Sequence, residues 1–347
     1  MQTELLLAGV VSFLVTILSL PIIRVIALRK GLYDEIEDRK VHKNLTPRIG
    51  GVAIALAVLV NTLLFVDISR PAVTLMLAAI ILFVTGIVDD LRGLKPLTKL
   101  SAQVLAAIVV LGGGIGIIFV SMPFSSGLIF LDGWQIPVEI LGLSFNILPI
   151  ANLFTIAWII LIINAVNLLD GLDGLAGGIS LIGFVTLLSL AIGSTVTGLV
   201  LILSVTMCMS LLAFLTNNFY PARIFMGDSG SYLIGLMMAV LPIYSTVKTT
   251  VGVVVIGIAI VDLVWAVLRR LKNRQSPFKA DRGHIHHRLL DNGIEHRNVV
   301  IIFYLVALIV SLTVTLAGLA AAVAVLTLSL FAVVIVTKNR KSPKQMQ

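Results

Sequence analysis

"IANLFTIAWIILIINAVNLLDGLDGLAGGISLIGFVTLLSLAI", residues 150–192, decides the fold. Two apolar runs, 150–167 and 174–192, flank a short polar stretch. Each run is close to the ~20 residues that a helix needs to cross a hydrocarbon core of about 30 Å. At the junction, polar residues recur at every third position: Asn164, Asn167, Asp170 and Asp173. On a helix, residues three apart share a face, and a row of them winds slowly around it. Glycines 171, 174, 177 and 178 permit close approach or a break. A helix-packing motif accounts for the glycines. It does not account for two carboxylates and two amides beside lipid, so the row reads as functional.

The pattern extends along the 347 residues. The chain is 59% hydrophobic and only 12% charged, with mean hydropathy +1.10, against about 25% charged in a soluble domain. Further apolar runs lie at 4–28, 50–66, 71–88, 100–120, 198–215, 229–245, 250–268, 298–317 and 319–336. The expectation is an all-α polytopic membrane protein of about eleven spans, one integral domain over 1–347. The last two runs are joined by almost nothing. A β-barrel would need alternating ten-residue strands, which are absent. Cys208 lies in an apolar run and reads as a small buried residue.

Charge gives the orientation. The N-terminal residues Met1–Glu4 carry no basic cluster, while Arg24, Arg29 and Lys30 follow the first run. That predicts an uncleaved first span with its N-terminus outside. Alternating from there, segments 24–48, 89–99, 216–228, 269–297 and the tail hold 7, 3, 1, 8 and 4 basic residues, 23 of the chain's 25. Only Arg70 and Lys248 fall outside, so these segments read as cytoplasmic. The cytoplasmic loops are placed at 29–49, 89–99, 168–173, 216–228 and 269–297, with a tail at 337–347. The net charge of +8 then suits anionic headgroups and substrates and is no sign of nucleic-acid binding. The outer loop, about 121–149, alternates around Asp132-Gly133 and predicts a β-hairpin.

Most carboxylates fall at the inner face. Asp262 lies about two turns inside a span and reads either as a functional acid or as a tie for a neighbouring loop. An ion-coupled transporter should hold acids at the midplane within repeated halves, and no repeat is visible. Four inner-face clusters stand out. In "GIVDDLRGLKPLTKL", Asp89 and Asp90 end a span, where carboxylates oppose the helix dipole, and Lys95 and Lys99 follow. The opening row is the second. In "TNNFYPARIFMGDSGSYLIG", Asn217 and Asn218 end a span and Asp228 opens the next as a plausible N-cap. In "RRLKNRQSPFKADRGHIHHRLLDNG", His284 and His287 share a helical face with Arg288, a spacing poor for zinc and suited to a diphosphate. Acids for a hard cation, cations for phosphates and amides for a base or sugar suggest Mg²⁺-dependent phosphoryl transfer at the inner leaflet.

The segments "DRKVHKNLTPRIGG", "VDDLRGLKPLTKL", "NAVNLLDGLDGLAGG", "FMGDSGSYLIG" and "HIHH" occur in one order between Lys30 and Asn292. In this the chain resembles the polyprenyl-phosphate N-acetylhexosamine-1-phosphate transferases, which include the MraY-like enzymes. "TPRIGG" and "HIHH", in place of "TPTMGG" and three consecutive histidines, resemble the WecA/TagO branch. The resemblance implies UDP-GlcNAc as donor and undecaprenyl phosphate as acceptor. It also implies a plasma-membrane homodimer, for which "GGGIG" at 112–116 is a candidate packing face. It implies Mg²⁺ as cofactor, with Mn²⁺ as the alternative. Asp228 is expected as a direct metal ligand. Asp89 or Asp90 would complete the metal and acceptor site, with Asp89 at the lipid phosphate. Lys99, rather than Lys95, matches the family lysine. Asn167 and Asp170, with Asn164 in the same row, are expected along the diphosphate. Asp173 would read the uracil with Lys43, Asn218 and a stacked Phe225, the row's glycines leaving room for the nucleotide. Arg282, His284, His286 and His287 would hold the diphosphate or sugar. The alternatives are another UDP-HexNAc or UDP-MurNAc-pentapeptide donor or, in a different class, a lipid or ion transporter.

Overall fold

The computed structural model describes residues 1–33, 46–122, 127–140, 143–192, 198–245, 257–276 and 284–338. Lys43, Arg282, the first part of the 250–268 run and nearly all of the tail lie outside them. The described residues are mostly helical: α1 (Gln2–Arg29), α2 (Gly51–Phe65), α3 (Arg70–Arg92), α4 (Pro96–Gly112), α5 (Pro149–Leu169), α6 (Leu175–Ala191), α7 (Gly198–Asn218), α8 (Gly227–Tyr244), α9 (Gly257–Lys272), α10 (Ile285–Asp291), α11 (His296–Ala317) and α12 (Leu319–Lys338). Among the described residues each apolar run lies wholly or in large part on a helix, the run 100–120 only as far as Gly112. The short α10 lies within a segment read as a loop. Among the described residues α1, α3, α5, α7 and α11 are long and apolar enough to cross a membrane. Leu6, Leu18, Ile22, Leu63, Leu153, Leu312 and Leu316 point outward from the bundle. So large an apolar surface would aggregate in water and is solvated in a bilayer. The chain is a multi-pass membrane protein.

Two local expectations change. Helix α4 stops at Gly112, well short of 120, and Gly114 takes a left-handed turn, φ +80°. The Arg70 side chain donates to the Gly112 carbonyl at 2.8 Å, and Gly113 lies against Thr74 of α3. "GGGIG" thus contains a helix stop in which Gly113 packs within its own chain, while Gly112 and Gly114 are exposed. The outer segment holds two hairpins, β1 (Phe119–Ser121) with β2 (Leu128–Phe130) and β3 (Ile136–Ile140) with β4 (Leu143–Ile147). Asp132-Gly133 links the two hairpins and is not the turn of one. The pairs Phe119–Phe130 and Ile136–Ile147 set the registers, as cross-strand apolar pairs do. The last two apolar runs are separate helices, divided at Gly318.

Helix α8 is the centre of the bundle. Nearly all of it from Gly227 to Ile243 is buried, and it packs on α2, α3, α5, α6 and α7. Glycine makes this possible. A Cβ on Gly51 would lie 2.2 Å from the Gly230 nitrogen, and one on Gly86 2.4 Å from the Ser229 Cα. Neighbouring backbone cannot yield as a flexible side chain does. Gly86→Ala is therefore expected to destabilise the protein by about 3 kcal/mol, read as a lowered Tm in detergent. An unchanged Tm would contradict this packing.

Candidate active site

The carboxylate of Asp228 sits where three helices meet. It lies in the first turn of α8, after Gly227, whose φ of +76° turns the chain into the helix. The expected N-cap role belongs to Asp90 of α3. Its oxygens accept the backbone N–H groups of Asp228 at 2.7 Å and Ser229 at 3.1 Å. The adverse end of the α3 dipole is thereby offset by the favourable start of α8. A Cβ at Gly227 would meet both the Arg48 carbonyl and Asp90. Asp90 thus fixes where Asp228 stands, and both of its oxygens are occupied in doing so.

Asp228 Oδ1 accepts from Asn167 Nδ2 of α5 at 2.7 Å. Oδ2 accepts from Lys99 Nζ of α4 at 3.2 Å and from the Tyr232 hydroxyl at 3.3 Å. Asn167 Nδ2 also reaches Ser231 Oγ at 2.9 Å. Lys99 pairs with buried Asp89 as well, and Leu94 N–H donates to Asp89 Oδ1 at 2.6 Å. One ammonium group thus joins two carboxylates from different helices. Lys95 is exposed, and Lys99 is the lysine that reaches these carboxylates.

The row of polar residues does not continue as a helix. Asn164 and Asn167 are on α5, Asp170 is its C-cap and Asp173 lies in the turn beyond. Burial raises the Asp170 pKa well above the usual carboxylate range. The Asp228 and Asp90 charges add to this, and the Gly227 N–H and Arg48 oppose it. Asp173 is buried and accepts from Ala222 N–H at 2.9 Å, while its own N–H donates to His296 Nε2 at 3.0 Å. Asn218 is buried between the Gly174 N–H and the Ile224 carbonyl, at 3.1 and 2.9 Å. Half-buried Phe225 bonds through its backbone to Pro47 and Gly50, both within "TPRIGG". Asp173 and Asn218 therefore hold the 219–226 loop against the α5–α6 turn, and Phe225 ties the same loop to the 47–50 segment. The glycines, expected to leave room for a nucleotide, are filled by the protein itself. His286 lies against Gly171, Leu215 against Gly177 and Tyr304 against Gly178, with the Tyr304 hydroxyl donating to the Gly174 carbonyl at 2.5 Å.

Asp262 proves to be a tie. Both of its oxygens accept Ile285 N–H, at 3.2 and 3.1 Å, and Oδ2 lies 3.3 Å from His284 Nδ1. His284 is the N-cap of α10, so it does not share a helical face with His287 as expected. The three rings form a file, His284 on His286 at 5.9 Å and His286 on His287 at 4.3 Å. Burial, with the charge of His287 next, pushes the His286 pKa down to about 3. At neutral pH it offers a neutral imidazole rather than a cation.

The structure thus gathers Asp89, Asp90, Lys99, Asn167, Asp170 and Asp228 at one end of the bundle. The histidine file reaches them through Gly171. Asn164 lies a turn deeper, against Gln103 of α4. Sequence reasoning missed Gln103, Tyr232, His296 and Tyr304. Gln103 was discoverable as an amide four residues after Lys99 in an apolar run. Tyr304 carried no such signal, since its role depends on packing across the bundle.

Comparison with known proteins gives the family. The model of glycosyl transferase family 4 matches residues 72–246. A Bacillus subtilis (strain 168) protein named probable undecaprenyl-phosphate N-acetylglucosaminyl 1-phosphate transferase is 35% identical over 321 residues, 89% of this chain and 84% of its own. The decaprenyl-phosphate N-acetylglucosaminephosphotransferase of Mycobacterium leprae (strain TN) is 33% identical over 338 residues, 87% and 81% of the two chains. The undecaprenyl-phosphate alpha-N-acetylglucosaminyl 1-phosphate transferase of Escherichia coli (strain K12) is 30% identical over 306 residues, 85% and 79%. With half the chain matched by the family model and relatives aligned over most of their length, this chain belongs to glycosyl transferase family 4.

Proposed function

We propose that this protein transfers GlcNAc-1-phosphate from UDP-GlcNAc to undecaprenyl phosphate, giving undecaprenyl-diphospho-GlcNAc and UMP. This is the opening membrane step of a cell-envelope glycan such as a teichoic acid linkage unit. The observation that carries the reading is Asp228, joined to Lys99, Asn167 and, through Lys99, Asp89. The names of the relatives supply the donor and acceptor classes.

An oxygen of the lipid phosphate attacks the donor's β-phosphorus. The bond from that phosphorus to the bridging oxygen breaks, and UMP leaves with the electron pair. The second pKa of a phosphate monoester is about 6, so the acceptor is largely dianionic near neutrality and needs no strong base. Lys99 holds anionic oxygens between the two substrates, and Asn167 orients Asp228. Asp90 keeps the start of α8 in register, and the α10 histidines face the donor's diphosphate or sugar. The basic inner segments suit both anions and support a site at the cytoplasmic face of the plasma membrane.

Among the described residues no three acidic, histidine or cysteine side chains form a ready-made metal cage. Mg²⁺ is commonly held through one or two carboxylates together with substrate phosphates. Asp228 and Asp89, two carboxylates from different helices facing one cationic group, fit that requirement. The metal would supply charge neutralisation of the diphosphate. EDTA is accordingly expected to abolish turnover, and Mg²⁺ or Mn²⁺ to restore it.

Purified protein with UDP-GlcNAc, undecaprenyl phosphate and Mg²⁺ is expected to release UMP faster than with UDP-GalNAc. No UMP from any UDP-HexNAc would defeat the reading. Asp262→Ala should lower the rate about tenfold, since a positioning partner behind a reacting site is worth about that much. Activity within twofold of wild type would separate the histidine file from catalysis.

A further inference from the structure

Helices α4 and α5 meet through two polar rungs. The first passes through Asp228: Lys99 of α4 on one oxygen, Asn167 of α5 on the other. The second lies one turn deeper. Gln103, four residues after Lys99, faces Asn164, three residues before Asn167. Asn164 Nδ2 donates to Gln103 Oε1 at 2.7 Å, and Gln103 Nε2 returns a bond to Asn164 Oδ1 at 3.5 Å. Asn164 Nδ2 also donates to the Ile160 carbonyl at 2.7 Å, which fixes its rotamer against its own helix. Gln103 is 1% exposed.

We infer that Gln103 is a positioning residue for the transfer reaction: by pairing with Asn164 it sets the α4–α5 separation at which Lys99 and Asn167 both reach Asp228. The reasoning is geometric. Residues at i, i+4 and at i, i+3 share a helix face, so Gln103 points the way Lys99 does, and Asn164 the way Asn167 does. A buried amide far from water must keep its partner, so the pair holds one separation rather than a range. Lys99, by contrast, is a flexible four-carbon stem, three-tenths exposed. It needs a fixed base to hold two carboxylates at once. Apolar packing alone would leave the two helices free to slide by fractions of an ångström, and reacting groups misplaced by about 1 Å lose about a hundredfold in rate. Neither Gln103 nor Asn164 needs to touch substrate in this account, which rests on the transferase reading for its kinetic part.

The test shortens and then exchanges the amides. Gln103→Asn keeps the chemistry but withdraws it by one methylene. It is expected to lower kcat roughly 10- to 100-fold, with KM for UDP-GlcNAc within about twofold and Tm near that of wild type. Adding Asn164→Gln restores the reach and is expected to recover most of kcat. A second readout is independent of turnover. Acylation of Lys99 by an amine-reactive ester, followed by mass spectrometry, should quicken several-fold in Gln103→Asn and return to the wild-type rate in the exchanged pair, while the exposed Lys95 stays constant. Gln103→Leu is treated the same way. If wild type releases no UMP, the transferase reading fails, and the Lys99 labelling still decides the positioning claim. Wild-type labelling and activity in Gln103→Asn, or a loss that the exchanged pair does not recover, would overturn the inference.

Discussion

Asp228→Ala is expected to abolish UMP release, lowering kcat/KM by about a thousandfold or more, the scale of removing a central electrostatic group from a reacting site. The variant should still fold. Asp90 holds the start of α8 through the backbone N–H groups of residues 228 and 229, and those bonds do not use the Asp228 side chain. Three contacts converge on the lost carboxylate, from Lys99, Asn167 and Tyr232. Their donors would face each other or a water. Tm and elution in detergent should therefore resemble wild type while steady-state UMP release falls to background. Retention of a tenth of wild-type kcat/KM would show that Asp228 is not the centre of the site.

Lys99→Met is expected to be the next most damaging change. It removes the cation shared by Asp89 and Asp228. Two carboxylates from separate helices then repel across a partly dry site, and an unpaired buried charge is costly. A fall of about 100- to 1,000-fold in kcat/KM is expected, together with a lower Tm. Lys99→Arg should recover only part of this, because a planar guanidinium does not replace a compact ammonium between two carboxylates. Full activity in Lys99→Arg would mean that only the sign of the charge matters there. Full activity in Lys99→Met would remove the lysine from the mechanism.

The helices were legible because hydropathy alone marks them, and among the described residues the apolar runs lie wholly or in large part on helices. The cluster was legible because residue types announce themselves: acids at span ends, a lysine near them, amides at helical spacing. What each acid does was not legible. Asp90 reads in sequence as a twin of Asp89, yet one caps α8 and the other pairs with Lys99. That difference arises from which helix each side chain faces, a tertiary fact. The glycines after Asn167 likewise read as space, and only the bundle shows Tyr304, Leu215 and His286 filling it. The hairpin at Asp132-Gly133 was misplaced because a turn signal does not say which strands it joins. Asp262 illustrates the opposite case. A carboxylate inside an apolar run is read as functional or as a tie, and the Ile285 N–H and the His284 ring settle on the tie.

The central claim is that this site moves a sugar together with its phosphate. The direct measurement gives the protein UDP-GlcNAc labelled with ³²P at either the α or the β position, with undecaprenyl phosphate and Mg²⁺. The account predicts β-label in the lipid fraction, α-label in UMP and none on the protein. β-Label remaining with a released uridine diphosphate would show transfer of the sugar alone and would contradict it.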